Sequence, residues 1–154
     1  MSDRTAAGSG FSPEERAAMK EAAAERRRAA RAGSKAEKAA ADLQDVLDRI
    51  AAMAPDDRGL AEQVHAIVAE AAPGLAPKTW YGMPAWARDG KPVVFFQDAG
   101  KFKARYATLG FNDGAALDDG AMWPTAFALV RIGPEERALI AALARRAAGA
   151  EPVA

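Results

Sequence analysis

The chain has 154 residues, with 21 Lys and Arg against 21 Asp and Glu, a single His and no Cys. No Cys means no disulfide, thiolate zinc site, iron–sulfur cluster or Cys nucleophile. No apolar run approaches the roughly 20 residues that span a bilayer, and the first ten residues lack the apolar stretch of a signal peptide, so a cytoplasmic protein without membrane contact is expected.

Residues 1–11 are small and polar and read as a disordered tail. Ser12-Pro13-Glu14-Glu15 combines an N-cap Ser, Pro at the first helical position and Glu three residues after the cap. The helix it opens, to about Arg31, is rich in Ala and charge, with Met19 its one large apolar residue, so residues 12–33 read as a helical extension. Gly33 stops it, and Ser34 with Glu37 repeats the capping pattern. A second helix then carries Leu43, Val46, Leu47, Ile50 and Ala54 on one stripe. Pro55-Asp56-Asp57 breaks the chain before a third, whose stripe is Leu60, Val64, Ile67, Val68 and Ala71.

The hydrophobic period then changes from 3.6 to 2. Lys78 to Tyr81 reads as a short strand, followed by a bend or bulge at Gly82-Met83-Pro84. Ala85–Arg88 and Pro92–Gln97 flank Asp89-Gly90, a two-residue hairpin signal. Lys101–Thr108 and Trp123–Ile132 are the remaining predicted strands, separated by a turn-rich loop. Gly133-Pro134-Glu135-Glu136 opens a last helix with Leu139, Ile140, Leu143 and Ala147 on its stripe, and residues 150–154 form a tail. The expected fold is α+β: an antiparallel sheet of about five strands with helices packed on one face, one domain over 34–149.

Neutrality conceals an asymmetry. Residues 34–75 hold 8 acids and 4 bases, a net −4, and residues 76–110 hold 6 bases and 2 acids, a net +4. Within the predicted strand 101–108, Lys101, Lys103 and Arg105 alternate with Phe102, Ala104 and Tyr106, so period 2 places three cations on one face. Such a face either is simply solvated or holds a small anionic ligand; nucleic acid is the less expected partner. Trp80, Tyr81, Met83, Tyr106 and Trp123 complete a candidate aromatic and basic site, with strand alternation sending Trp80 and Tyr81 to opposite faces. Asp42, Asp45, Asp56 and Asp57 are the candidate metal-ligating carboxylates, set against a solvated helix face neutralised by Arg49. Every Ser (Ser2, Ser9, Ser12 and Ser34) lies in the tail or at a helix cap, no phosphate-binding glycine loop is present, and His65 has no thiol partner. A non-enzymatic binding module is the expectation, with a receptor or enzyme for a small anionic ligand, or an interaction module using the N-terminal helix, as alternatives.

From about Leu60 onward the chain resembles the YdhG-like family, a bacterial domain of unknown function. The resemblance is carried by Ala72-Pro73, Trp80-Tyr81-Gly82-Met83-Pro84, Asp89-Gly90-Lys91-Pro92 before Phe95-Phe96, Lys101-Phe102 with Arg105-Tyr106, Leu109-Gly110-Phe111, and Leu117 to Pro124. It implies an α/β sandwich like that of frataxin. It also implies a role as an intracellular iron chaperone, with iron as cargo.

Overall fold

A computed structural model describes residues 10–31 and 33–149. Among the described residues five helices, α1 (Pro13–Arg31), α2 (Lys35–Ala51), α3 (Pro55–Ala71), α4 (Ala99–Phe102) and α5 (Pro134–Ala147), accompany five strands. The strands are β1 (Ala76–Trp80), β2 (Met83–Arg88), β3 (Lys91–Gln97), β4 (Ala107–Phe111) and β5 (Ala126–Leu129). They form an antiparallel meander in the order β1-β2-β3-β4-β5, so the expected α+β class and sheet are observed. The expected tails, apart from Gly10 and Phe11, lie outside the described residues.

Register sorts the two faces of the sheet. Trp86 lies opposite Pro77 and Val94, Val94 opposite Phe111, and Phe96 opposite Leu109, itself opposite Phe127. These residues, all but Pro77 in the hydrophobic core or packed against it, meet Val46 and Ile50 of α2, Val64, Ile67 and Val68 of α3, and Ile140, Ala144 and Ala147 of α5. Partners across a ladder share a face, so this is the helix-covered side. The other face carries Trp80, Ala85, Phe95 and Gly110. Gly110 is needed there, because a Cβ at that position would collide with the Phe95 ring folded over it.

The helices bury narrower stripes than their sequences imply. Leu43 and Leu47 are 37% and 40% exposed, and the residues α2 buries are Val46 and Ile50. Ala54 lies beyond α2 as the N-cap of α3. In α5 the buried set is Ile140, Ala144 and Ala147, one step round from the expected one, and Leu139 is exposed.

Three strands differ in extent from the expected ones. Tyr81 and Gly82, with φ of 52° and 76°, form a two-residue turn joining β1 directly to β2, where Tyr81 was expected in the strand and a bend or bulge at Gly82–Pro84. Both central residues of a type I′ turn need positive φ, and this is the turn whose twist suits a hairpin. Asp89 and Gly90 repeat the geometry at φ 52° and 79°, as their sequence predicts. The expected strand 101–108 is instead α4, a left-handed Lys103 (φ 52°) and a loop, with β4 starting only at Ala107. The expected strand 123–132 contracts to β5.

Trp86 is fully buried, and its indole Nε1 donates to His65 Nδ1 at 3.2 Å, the two rings stacked at 6.1 Å. An accepting Nδ1 requires the imidazole to be unprotonated there, and burial pushes the His65 pKa below 6.5. The unfolded chain protonates first on acidification, so this contribution is complete above about pH 6.5 and is lost as pH falls through that value toward the folded pKa. Denaturant unfolding between pH 7.5 and 5 should show this loss, and His65→Gln, which keeps an acceptor for Trp86, should flatten it.

Candidate functional site

The best-built polar site lies where α1 crosses the β1–β2 turn. Positive φ at both turn residues exposes two successive backbone N–H groups, a concavity suited to an anion. The Tyr81 N–H donates to Glu25 Oε2 at 3.2 Å and the Gly82 N–H to Glu25 Oε1 at 3.0 Å. One carboxylate therefore spans both donors. One turn earlier on α1, Glu21 pairs with Arg49 of α2 at 3.0 Å. Tyr81 is a bulky residue in a left-handed conformation, a strained state that persists only where its surroundings enforce it.

Lys101 reaches the same place from α4. Its ammonium lies so close to Gly82 that a Cβ there would strike it and the Glu21 side chain behind it. The Lys101 Nζ is buried with no hydrogen-bond partner among the described residues. Burial, together with the nearby Arg49 guanidinium, lowers the Lys101 pKa, and Glu21, Asp98 and Glu25 partly counter this. Several clefts flank α1 here, two of them at Lys101 and at the turn. One of about 550 Å³ is lined by Glu21, Arg49, Met53, Asp98 and Lys101 among others, and one of about 190 Å³ by Glu25, Arg28, Lys78, Trp80 and Tyr81 among others.

Two aspartates set the position of Lys101. Asp98 is the N-cap of α4 and accepts from the Lys101 N–H at 3.2 Å. Asp57, buried at the start of α3, accepts from the N–H groups of Ala99 and Gly100 at 3.1 and 2.9 Å. These bonds satisfy donors that a helix start leaves free, and they explain why 99–102 winds into a helix rather than extending. Desolvation, with Asp57 adding like-charge repulsion, raises the Asp98 pKa.

The expected row of three cations does not form. Lys101 turns inward beneath α1, Lys103 reaches Glu14 of α1 at 2.8 Å, and Arg105 stacks on Tyr106 at 5.2 Å in an exposed loop. The Glu14 pKa is lowered and the Lys103 pKa raised by their shared hydrogen bond. Trp80 and Tyr81 were expected on opposite faces, but the turn brings their rings to 5.1 Å edge to face, with Phe95 at 5.3 Å from Trp80. Met83 is buried beside the turn. Trp123 is elsewhere, lining a separate cleft of about 410 Å³ with Phe111, Asn112 and Leu117 among others.

The four candidate metal carboxylates are each differently engaged or placed. Asp42 pairs with Lys38 at 3.8 Å and Asp45 with Arg28 at 3.3 Å, Asp57 caps α4, and Asp56 is exposed in the first turn of α3. No group of three or more His, Asp or Glu side chains gathers to hold a metal ion among the described residues. Sequence reasoning missed Glu21, Glu25 and Arg49 as site residues. The only available signal was the i,i+4 spacing of the two glutamates on a helix with little apolar surface.

No helix among the described residues is long and apolar enough to cross a membrane. Comparison with protein-family models, with curated proteins and with solved structures returned no significant match.

Proposed function

We propose that the protein is a non-catalytic binding module for an anionic ligand, with its site at the Tyr81–Gly82 turn, Lys101 and Arg49. The observation that carries this reading is the pair of turn N–H groups already closed on a carboxylate. The buried Lys101 ammonium beside them supports it, because it offers up to three donors and none is used among the described residues. A non-catalytic role is supported by how the reactive groups are employed. Ser12 and Ser34 cap helices, and the Nδ1 of His65 is held by Trp86. An anion fits better than the iron implied by the YdhG-like resemblance, because Asp42 and Asp45 already face cations.

The test uses Glu21→Gln/Glu25→Gln, which removes both resident carboxylates while keeping the shape of α1. Thermal unfolding of this variant in saturating pyrophosphate should rise by about 3 °C or more over sodium chloride of equal ionic strength. Adding Lys101→Met should abolish that rise. An equal response in the two salts contradicts the reading.

A further inference from the structure

We propose that α1 is a built-in competitor for this site, and that the ligand displacing it carries two linked anionic groups. The inference rests on the anion-binding reading above and adds the regulation of the site and the class of ligand. Glu21 and Glu25 stand four residues apart on one helix face, a separation of about 5–6 Å between Cβ atoms. One meets the Arg49 guanidinium and the other the two turn amides, so α1 presents a doubly anionic group to the core.

The way α1 is held makes it replaceable. Among the described residues its buried ones are only Ala18 and Ala22, while its larger apolar neighbours Phe11 and Met19 are 49% and 43% exposed. Polar contacts therefore carry the docking, and a free anion can replace the two made by Glu21 and Glu25, leaving only the ion pairs Glu14–Lys103 and Arg28–Asp45, of which Lys103 is exposed, to hold α1 among the described residues. The resident carboxylate also uses the site incompletely, since the Lys101 ammonium is left without a hydrogen bond among the described residues. A phosphate-like group has the additional acceptor oxygens to reach it.

The chain is also built to let α1 go. Ser34 caps α2 through its own side chain, accepting from the Glu37 N–H at 3.1 Å, so α2 keeps its N-terminus without α1. Departure of α1 would join the clefts at Lys101 and at the turn into one opening.

The experiment follows two readouts on the full-length chain as pyrophosphate is added against sodium chloride of matched ionic strength. Amide resonances of Tyr81 and Gly82 report occupancy, and hydrogen exchange over Pro13–Arg31 reports release of α1, since an isolated helix of this length is marginal in water. The wild type should show exchange in α1 rising about tenfold as the turn amides shift. In Glu21→Gln/Glu25→Gln, α1 should exchange fast without ligand and pyrophosphate should bind at least tenfold more tightly. A response in the double variant but none in the wild type also supports the proposal, as a site fully held by α1. Equal affinities with α1 exchange unchanged overturn the competition and leave the anion site standing. No shift of the turn amides in either protein overturns both. Protection of the Trp86 and Phe96 amides verifies that the variant is folded, and should it not fold, the wild-type readouts decide alone.

Discussion

Trp86→Ala is expected to cost about 3–5 kcal/mol of folding stability, the range for truncating a large buried aromatic. Trp86 is fully buried at the centre of the covered sheet face, between Pro77 and Val94. It belongs to the core that also holds Val46 of α2 and Val64 of α3. Removing the indole leaves a cavity that rigid neighbours fill only in part. It also strands His65 Nδ1, which loses the Nε1 donor at 3.2 Å. Trp86→Phe separates these effects, retaining most of the ring volume while removing the hydrogen bond, and should cost about 1–3 kcal/mol. Urea unfolding should show the midpoint falling with little change of slope. A loss below about 1 kcal/mol for the Ala variant would place Trp86 outside the core and invert the assignment of the two sheet faces.

Asp57→Ala is the second large effect, at about 1–3 kcal/mol, from the loss of a buried carboxylate that caps two half-buried N–H groups at the start of α4. Its carboxylate holds Ala99 through one oxygen and Gly100 through the other. Asn should rescue little, because its amide offers one oxygen and presents N–H groups to the remaining donor. The consequence extends to ligand binding. Once α4 loses this cap, Lys101 is no longer fixed beneath α1, so the response of Glu21→Gln/Glu25→Gln to pyrophosphate should disappear when Asp57→Ala is added. Unfolding and ligand titration of the triple variant check both parts. A triple variant that is destabilised yet responds fully to pyrophosphate would show that Lys101 needs no such fixing.

These effects mark where the sequence was legible. The Asp89-Gly90 hairpin was readable because both residues tolerate left-handed backbone, so the local chemistry and the fold agree. The Tyr81-Gly82 hairpin has the same geometry but was not readable, because Tyr gives no left-handed signal and its conformation is enforced from outside the turn. The alternation of Lys101 to Tyr106 is a sound strand pattern taken alone. It gave way because the cap on α4 comes from Asp57, 42 residues earlier in the chain. The helix stripes were readable in kind but not in width, since periodicity cannot say how far a neighbour covers Leu43, Leu47 or Leu139.

The candidate site shows the same division. The basic character of residues 76–110 was visible in composition, and Lys101 was among the residues it singled out. Its partners were not visible. Glu25 is 56 and 57 residues from the turn amides it accepts from, and no spacing rule connects a glutamate on an alanine-rich helix to a distant hairpin. The same helix, which reads as an appendage, meets β1 and α4 and is tied to the core through Glu14, Glu21, Glu25 and Arg28.

The measurement that bears most directly on this account is a crystal structure of Glu21→Gln/Glu25→Gln grown with pyrophosphate. The anion is predicted against the N–H groups of Tyr81 and Gly82, with Lys101 and Arg49 turned onto its oxygens and α1 lifted from the groove. Pyrophosphate bound elsewhere, with α1 still seated and the turn amides facing no anion, would contradict it.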